Sequence, residues 1–221
     1  MSKYKIVVFD LDGTLLNTAE GILSAVKFAI DTTGRKMPEQ QVLDSYIGPP
    51  IQQSFARTYH IEGKELDNMA LLFRNHYKDV DLLKAVPYEG IYDLLQRLSD
   101  EKLLLTIATY KREDYALKLI KHFGFDQYMA VSCGADFAGE LTKADIIRKT
   151  IALAGITNYS EVVMIGDTVH DATGAAALGL DFIGVTYGFG FKTKTDVTGN
   201  NVVGVAQTAK EIFDIIMEAH A

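Results

Sequence analysis

The chain has 221 residues, 48% of them hydrophobic and 23% charged, with only four prolines, so it is long enough for a sizeable core and too apolar for disorder. At roughly 150 residues per domain, that length fits one domain with a large insertion or two in tandem, and excludes a multi-domain array. A net charge of −7 with no local basic patch argues against nucleic acid and membrane as partners.

The lone Cys133 rules out an internal disulfide framework and a cysteine zinc cluster, and His60, His76, His122, His170 and His220 do not fall at ligand-like spacings. The opening MSKYKIVVFD has a short apolar run that ends at an acidic cluster, which fits neither a signal peptide nor a membrane span. A cytoplasmic protein is expected.

The first predicted strand is residues 5–9, KIVVF, closed by Asp10 and a Gly13-Thr14 turn. Residues 19–80 then read as consecutive helices with no convincing strand. Ile22, Leu23, Val26 and Ile30 mark a first helix, Pro38 starts a second, and Leu66, Met69, Leu72, Phe73 and Tyr77 mark a long third. Every proline lies between 38 and 87, in this stretch or at its exit. Further apolar strands follow at 103–109, 128–132, 162–165 and 182–185, unbroken by polar alternation, as strands buried on both faces should be. Helical patterns separate them: Ile91, Leu94, Leu95 and Leu98 share one face, and Ala116, Leu119, Ile120 and Phe123 another before Gly124. This alternation predicts an α/β fold, a doubly wound parallel-sheet (Rossmann-like) core of residues 1–16 and 82–221 carrying an inserted all-helical cap of residues 17–81. The glycine-rich 184–190 is expected to be a loop without assigned chemistry.

Asp10-Leu11-Asp12-Gly13-Thr14 stands at the end of the first strand, the edge at which open α/β sheets place ligands. Carboxylates two residues apart on extended chain point the same way, and near a third acid they would hold a proton or recruit a hard divalent cation. The cation is favoured because Asp167 and Asp171 follow another apolar strand in VVMIGDTVHD. A calcium-binding helix-loop-helix is excluded: counting from Asp10, its required glycine and final acid fall on Leu15 and Gly21. Asp171 also has an ordinary use at the start of the following helix. Thr109 ends the second core strand and could donate to an anion at the same rim. Lys143, at the start of a helix, opposes the macrodipole, a placement that invites a functional reading.

FDLDGTLLNT, Thr109 at a strand end, Lys143 and GDTVHD, in that order and spacing, resemble the motifs of the haloacid dehalogenase-like phosphohydrolases across nearly the whole chain. A helical insert between the first two motifs is what that family calls a C1 cap. Thr109-Tyr110-Lys111, the IGPP of 47–50 and the GDxxHDxxGA pattern look most like phosphoglycolate phosphatases and nucleotidase-like members. Asn17 departs from the family, which often carries Asp there.

The resemblance implies Asp10 as nucleophile on a phosphate monoester, forming an aspartyl-phosphate, and Asp12 as general acid and then base. It implies Mg²⁺ held by Asp10, the backbone carbonyl of Asp12 and Asp167, with Asp171 in support, and Thr109 and Lys143 on the phosphoryl oxygens. The partner it implies is a small phosphorylated metabolite, with substrate contacts expected from Gly48, Pro49, Pro50, Gln52, Lys111 and Arg112. Asp12 argues against a dehalogenase, because displacing halide needs no acid. A phosphomutase would use the same pair of acids. A phospho-accepting receiver module would place its phosphorylated Asp on a later strand and lack the cap. Oligomeric state is not legible.

Overall fold

The computed structural model describes residues 2–137 and 140–219; His220 lies outside them. The chain divides into two compact units, Met1–Asn17 with Pro87–Ala221, and Thr18–Val86. The sequence pattern set these crossings at 16/17 and 81/82. The strands are β1 (Ile6–Phe9), β2 (Leu16–Asn17), β3 (Val86–Pro87), β4 (Leu104–Arg112), β5 (Met129–Ala135), β6 (Val162–Gly166), β7 (Asp181–Val185) and β8 (Val202–Ala206). Strands β2 and β3 form a two-stranded sheet, while the other six form one sheet in the order β5-β4-β1-β6-β7-β8, with every pairing parallel.

Ile6, Val7, Val8 and Phe9 are fully buried because β1 is central and covered on both faces. Such burial contributes roughly 2 kcal/mol per side chain, so this run alone specifies a central strand. The register pairs Phe9 with Ile107 on one side and Ile165 on the other, so β1, β4 and β6 reach the carboxyl edge together. There the Asp10 N–H donates to the Ile165 carbonyl at 2.9 Å, carrying the alignment one residue past the strand.

The insert consists of α1 (Ala19–Thr32), α2 (Gln40–Asp44), α3 (Ile51–Tyr59) and α4 (Gly63–His76), followed by a π-helical turn at Tyr77–Asp81. A helix does follow Pro38, as its position suggested. It is the short α2, and a further helix not marked in the sequence, α3, follows with Pro50 at its N-cap, where a residue without an N–H costs nothing. Helix α1 buries Ile22, Ala25, Val26, Ala29 and Ile30 and packs on α4. Asp81, fully buried, meets Lys84 at 2.7 Å and His76 at 3.2 Å.

The core helices are α5 (Ile91–Asp100), α6 (Glu113–His122), α7 (Lys143–Leu153), α8 (Val169–Ala177) and α9 (Ala209–Glu218). Ile91, Leu94, Leu95 and Leu98 are buried on α5, as are Ala116, Leu119 and Ile120 on α6. Thr142 and Thr168 cap α7 and α8 through reciprocal bonds with Asp145 and Asp171. Those caps fix the helix N-termini from which Lys143 and Asp171 project. Among the described residues no helix is long and apolar enough to cross a membrane.

Candidate active site

Asp10, Asp167 and Asp171 come together at the carboxyl edge of the sheet, each offering an oxygen within 4.8 Å of the others. Each arrives on a different piece of backbone: the end of β1, the residue after β6, and the first turn of α8. All three are buried, at 5%, 0% and 1% exposure. Lys143 Nζ reaches into the group from α7, 2.5 Å from Asp10 Oδ1 and 2.7 Å from Asp171 Oδ1.

The electrostatics of this cluster are unbalanced. Burial, partly opposed by Lys143 and reinforced by Asp171, Asp167 and Asp12, pushes the Asp10 carboxyl well above the usual carboxylate range. Burial and then Asp171 push Asp167 up to about 7, against the opposing effect of the Gly190 and Phe189 N–H groups and Lys143. Burial alone would lower Lys143, but Asp10 and Asp171 outweigh it and hold its ammonium protonated. One cation among three buried carboxyls leaves negative charge that only protons or a further cation can offset.

A divalent ion fits these residues. Asp167 Oδ2 is taken by the Phe189 and Gly190 N–H groups at 2.7 and 3.1 Å, while its Oδ1 is buried with no hydrogen-bond partner. A buried carboxylate oxygen left bare inside an acidic group has the character of a metal ligand, and an all-oxygen donor set suits a hard cation such as Mg²⁺. Gly13 makes room for Asp167: at φ +87, a Cβ there would stand 2.2 Å from Asp167 Oδ2.

Asp171 does two jobs, one with each oxygen. Oδ2 accepts from the Thr168 N–H at 3.0 Å and its hydroxyl at 2.7 Å, the cap that a helix start calls for, and Oδ1 faces Lys143. The use of this residue at the helix start therefore holds, and its other oxygen belongs to the acidic group around Lys143.

Asp12 is not one of the three acids whose oxygens come within 4.8 Å of one another, but it stands near enough to raise Asp10. Its Oδ2 is 3.0 Å from Lys111 Nζ, and its Oδ1 is buried without a partner. Thr109 is 1% exposed at the start of an irregular stretch of β4, where the register with β5 slips between Ala108 and Arg112. Its Oγ1 accepts the Lys111 N–H at 3.1 Å, so it also shapes the turn that aims Lys111 inward. Gly134 lies opposite this irregularity, and a Cβ there would come within 2.6 Å of the Lys111 carbonyl. Arg112 points elsewhere, pairing with Asp114 and stacking on Tyr115.

The other expected substrate contacts belong to the insert. Gly48 has φ +105, Pro49 precedes the α3 N-cap, and Gln52 on α3 accepts from Arg74 at 3.0 Å.

Sequence reasoning missed two supports. The glycine-rich loop after β7 supplies the Phe189 and Gly190 donors to Asp167, and its Tyr187 hydroxyl donates to the Thr14 carbonyl at 3.0 Å. Backbone donors leave no residue-type signature, so the glycines were the only signal. Tyr110 accepts the Lys143 N–H at 2.8 Å and meets His170 edge-on, with ring centroids 5.5 Å apart, bracing the ends of β4, α7 and α8.

Comparison with known proteins gives a family match: residues 7–185 fit the model of the haloacid dehalogenase-like hydrolases. The chain is 34% identical to a 5'-nucleotidase of Pseudomonas aeruginosa over 85% of each chain. It is 33% identical to the tyrosine-protein kinase PtkA of Mycobacterium tuberculosis over 96% of this chain and 72% of that one. It is 30% identical to a phosphoglycolate phosphatase of Agrobacterium fabrum over 83% of this chain and 81% of the relative. Among solved structures, a predicted phosphatase from Clostridium acetobutylicum superposes with a TM-score of 0.87 at 32% identity, covering 97% of this chain and 99% of that one.

Proposed function

This chain belongs to the haloacid dehalogenase-like hydrolases and is a phosphatase, and on that premise we propose that it hydrolyses a small phosphate monoester through an aspartyl-phosphate on Asp10, with Mg²⁺ as cofactor. The observation that carries the reading is the buried group of Asp10, Asp167 and Asp171 with Lys143 inside it and Asp12 beside it. Four acids gathered around one rim repel a phosphate dianion unless cations accompany it.

In this reading a carboxylate oxygen of Asp10 attacks phosphorus in line, and the O–P bond it forms replaces the bond to the departing ester oxygen. Asp12 uses its unpartnered Oδ1 to give that oxygen a proton, and then takes one from the water that attacks the aspartyl-phosphate. Lys143 orients the Asp10 carboxyl and neutralises phosphoryl oxygens, while Thr109 stands at the same rim as a hydroxyl donor. Asp10, Asp167 and the backbone carbonyl of Asp12 would hold Mg²⁺, with Asp171 in support, and the ion supplies charge neutralisation for the phosphoryl group. Substrate selection falls to Lys111 and to the insert's Gly48, Pro49 and Gln52. The substrate is a phosphorylated metabolite of the kind that the 5'-nucleotidase and phosphoglycolate phosphatase relatives are named for, met in the cytoplasm.

The test is phosphate release from a panel of phosphoglycolate, nucleoside monophosphates, sugar phosphates, pyrophosphate and p-nitrophenyl phosphate, with Mg²⁺ and with excess EDTA. Continuous release that EDTA abolishes and Mg²⁺ restores supports the reading. No release from any compound, or full activity in EDTA, contradicts it.

A further inference from the structure

The Lys143 ammonium stands at the tip of a flexible side chain, 2.5 Å from Asp10 and 2.7 Å from Asp171, so its placement depends on how the base of that side chain is held. The base is the first residue of α7, and the N–H of such a residue has no partner within its own helix. The Thr142 hydroxyl does not supply one, because it accepts from the Asp145 N–H. The Lys143 N–H donates instead to the Tyr110 hydroxyl at 2.8 Å, a bond that ties α7 to the end of β4 across 33 residues of chain. The same tyrosine reaches the other end of the lysine, with its ring centroid 5.7 Å from Lys143 Nζ. Its ring also meets His170, the neighbour of Asp171 in sequence. From α8 the lysine stem is confined by Gly174, where a Cβ would come within 3.0 Å of Lys143 Cγ. Tyr110 is 37% exposed, so its hydroxyl could bond water, and its use on this one N–H needs a reason other than burial.

We infer that Tyr110 is a positioning residue for the reaction: its hydroxyl fixes the backbone of Lys143 and thereby the reach of the ammonium to the phosphoryl oxygens. This rests on the phosphatase reading, in which Lys143 neutralises those oxygens. A bond from the ammonium to such an oxygen forms over a narrow range, about 2.7 to 3.2 Å, and a misplacement of about 1 Å can cost a hundredfold in rate. Without the hydroxyl, the N–H at the start of α7 turns to water and the base of the lysine is released from β4. The metal ligands are held by other bonds, Asp167 by the Phe189 and Gly190 N–H groups and Asp171 by Thr168, so the effect should fall on the phosphoryl group and not on Mg²⁺.

The experiment uses the full chain, with p-nitrophenyl phosphate as substrate and orthovanadate as a probe whose five-coordinate form mimics a phosphoryl group in transfer. Tyr110→Phe keeps the ring and removes only the hydroxyl. It should lower kcat/KM and vanadate affinity together, each by about tenfold or more. Its Mg²⁺ affinity by calorimetry and its Tm should stay within about twofold and about 2 °C of wild type. Tyr110→Leu should do no better, and Lys143→Met, which removes the ammonium itself, should lower vanadate affinity further. Wild-type kcat/KM and vanadate affinity in Tyr110→Phe overturn the inference. So does a fall in kcat/KM without a matching fall in vanadate affinity, or one that Mg²⁺ affinity or Tm shares, since the hydroxyl then supports the fold and not the lysine. If Lys143→Met binds vanadate as wild type does, the role given to Lys143 has failed and the inference with it. If wild type neither turns over p-nitrophenyl phosphate nor binds vanadate, it is the phosphatase reading that has failed.

Discussion

At the residue scale, the two unpartnered buried oxygens, Asp12 Oδ1 and Asp167 Oδ1, make separate predictions. With an alkyl phosphate the departing alkoxide needs a proton, so Asp12→Asn should severely slow the first step, whereas p-nitrophenyl phosphate releases a stable phenolate and should suffer far less. Because the second step still needs Asp12, this variant should give a burst of nitrophenolate with little steady turnover in rapid-mixing measurements. Equal slowing of both esters would make Asp12 a positioning group only. Asp167 is raised to about 7 by burial first and by Asp171 second, so the metal-free fold binds more protons than the unfolded chain, whose carboxyl titrates at about 4. Its contribution to stability is therefore present below about pH 4 and is lost as pH rises to about 7. In EDTA, Asp167→Asn should raise Tm at about pH 8 and do so less at about pH 5, and Mg²⁺ should no longer raise it further. A Tm lowered equally at both pH values would contradict this account. Asp10, Asp12, Asp167 and Asp171 were legible because acids following apolar strands are conspicuous. The pairing of Asp12 with Lys111 was not, since it depends on a slip in register between β4 and β5 that no residue type announces.

At the element scale, the turn after β1 and the loop after β7 form the cradle of Asp167. Gly13→Ala places a Cβ where Asp167 Oδ2 lies and in a backbone conformation that alanine resists, so it should cost about 1 kcal/mol or more in stability and weaken Mg²⁺ binding by more than tenfold. Thermal unfolding and calorimetric titration check both effects; unchanged Mg²⁺ affinity would show that Asp167 is not held from this side. Apolar runs revealed the central strands because both faces are covered. Strand β8 escaped because it lies at the sheet's edge, is partly exposed and contains Gly204, whose missing side chain lets Ile215 of α9 approach: a Cβ would meet it at 2.7 Å. Helix α2 begins two residues after Pro38, whereas α3, whose N-cap is Pro50, is a separate helix that the sequence pattern does not mark.

At the scale of the whole molecule, separate pieces of one sheet edge supply the acids, the lysines and the backbone donors, so the chemistry exists only in the folded chain. The net charge of −7 and the acidic cluster make a cation part of the account, and Mg²⁺ should raise Tm in wild type. The central claim is that Asp10 carries the phosphoryl group. It is tested most directly by quenching the Asp12→Asn variant in acid shortly after mixing with p-nitrophenyl phosphate and Mg²⁺, reducing the acyl phosphate with borohydride, and sequencing the peptides by mass spectrometry. The account predicts homoserine in place of Asp10, and none when Asp10→Asn is combined with the first substitution. A nitrophenolate burst with Asp10 unmodified, or with the label on another residue, would contradict it.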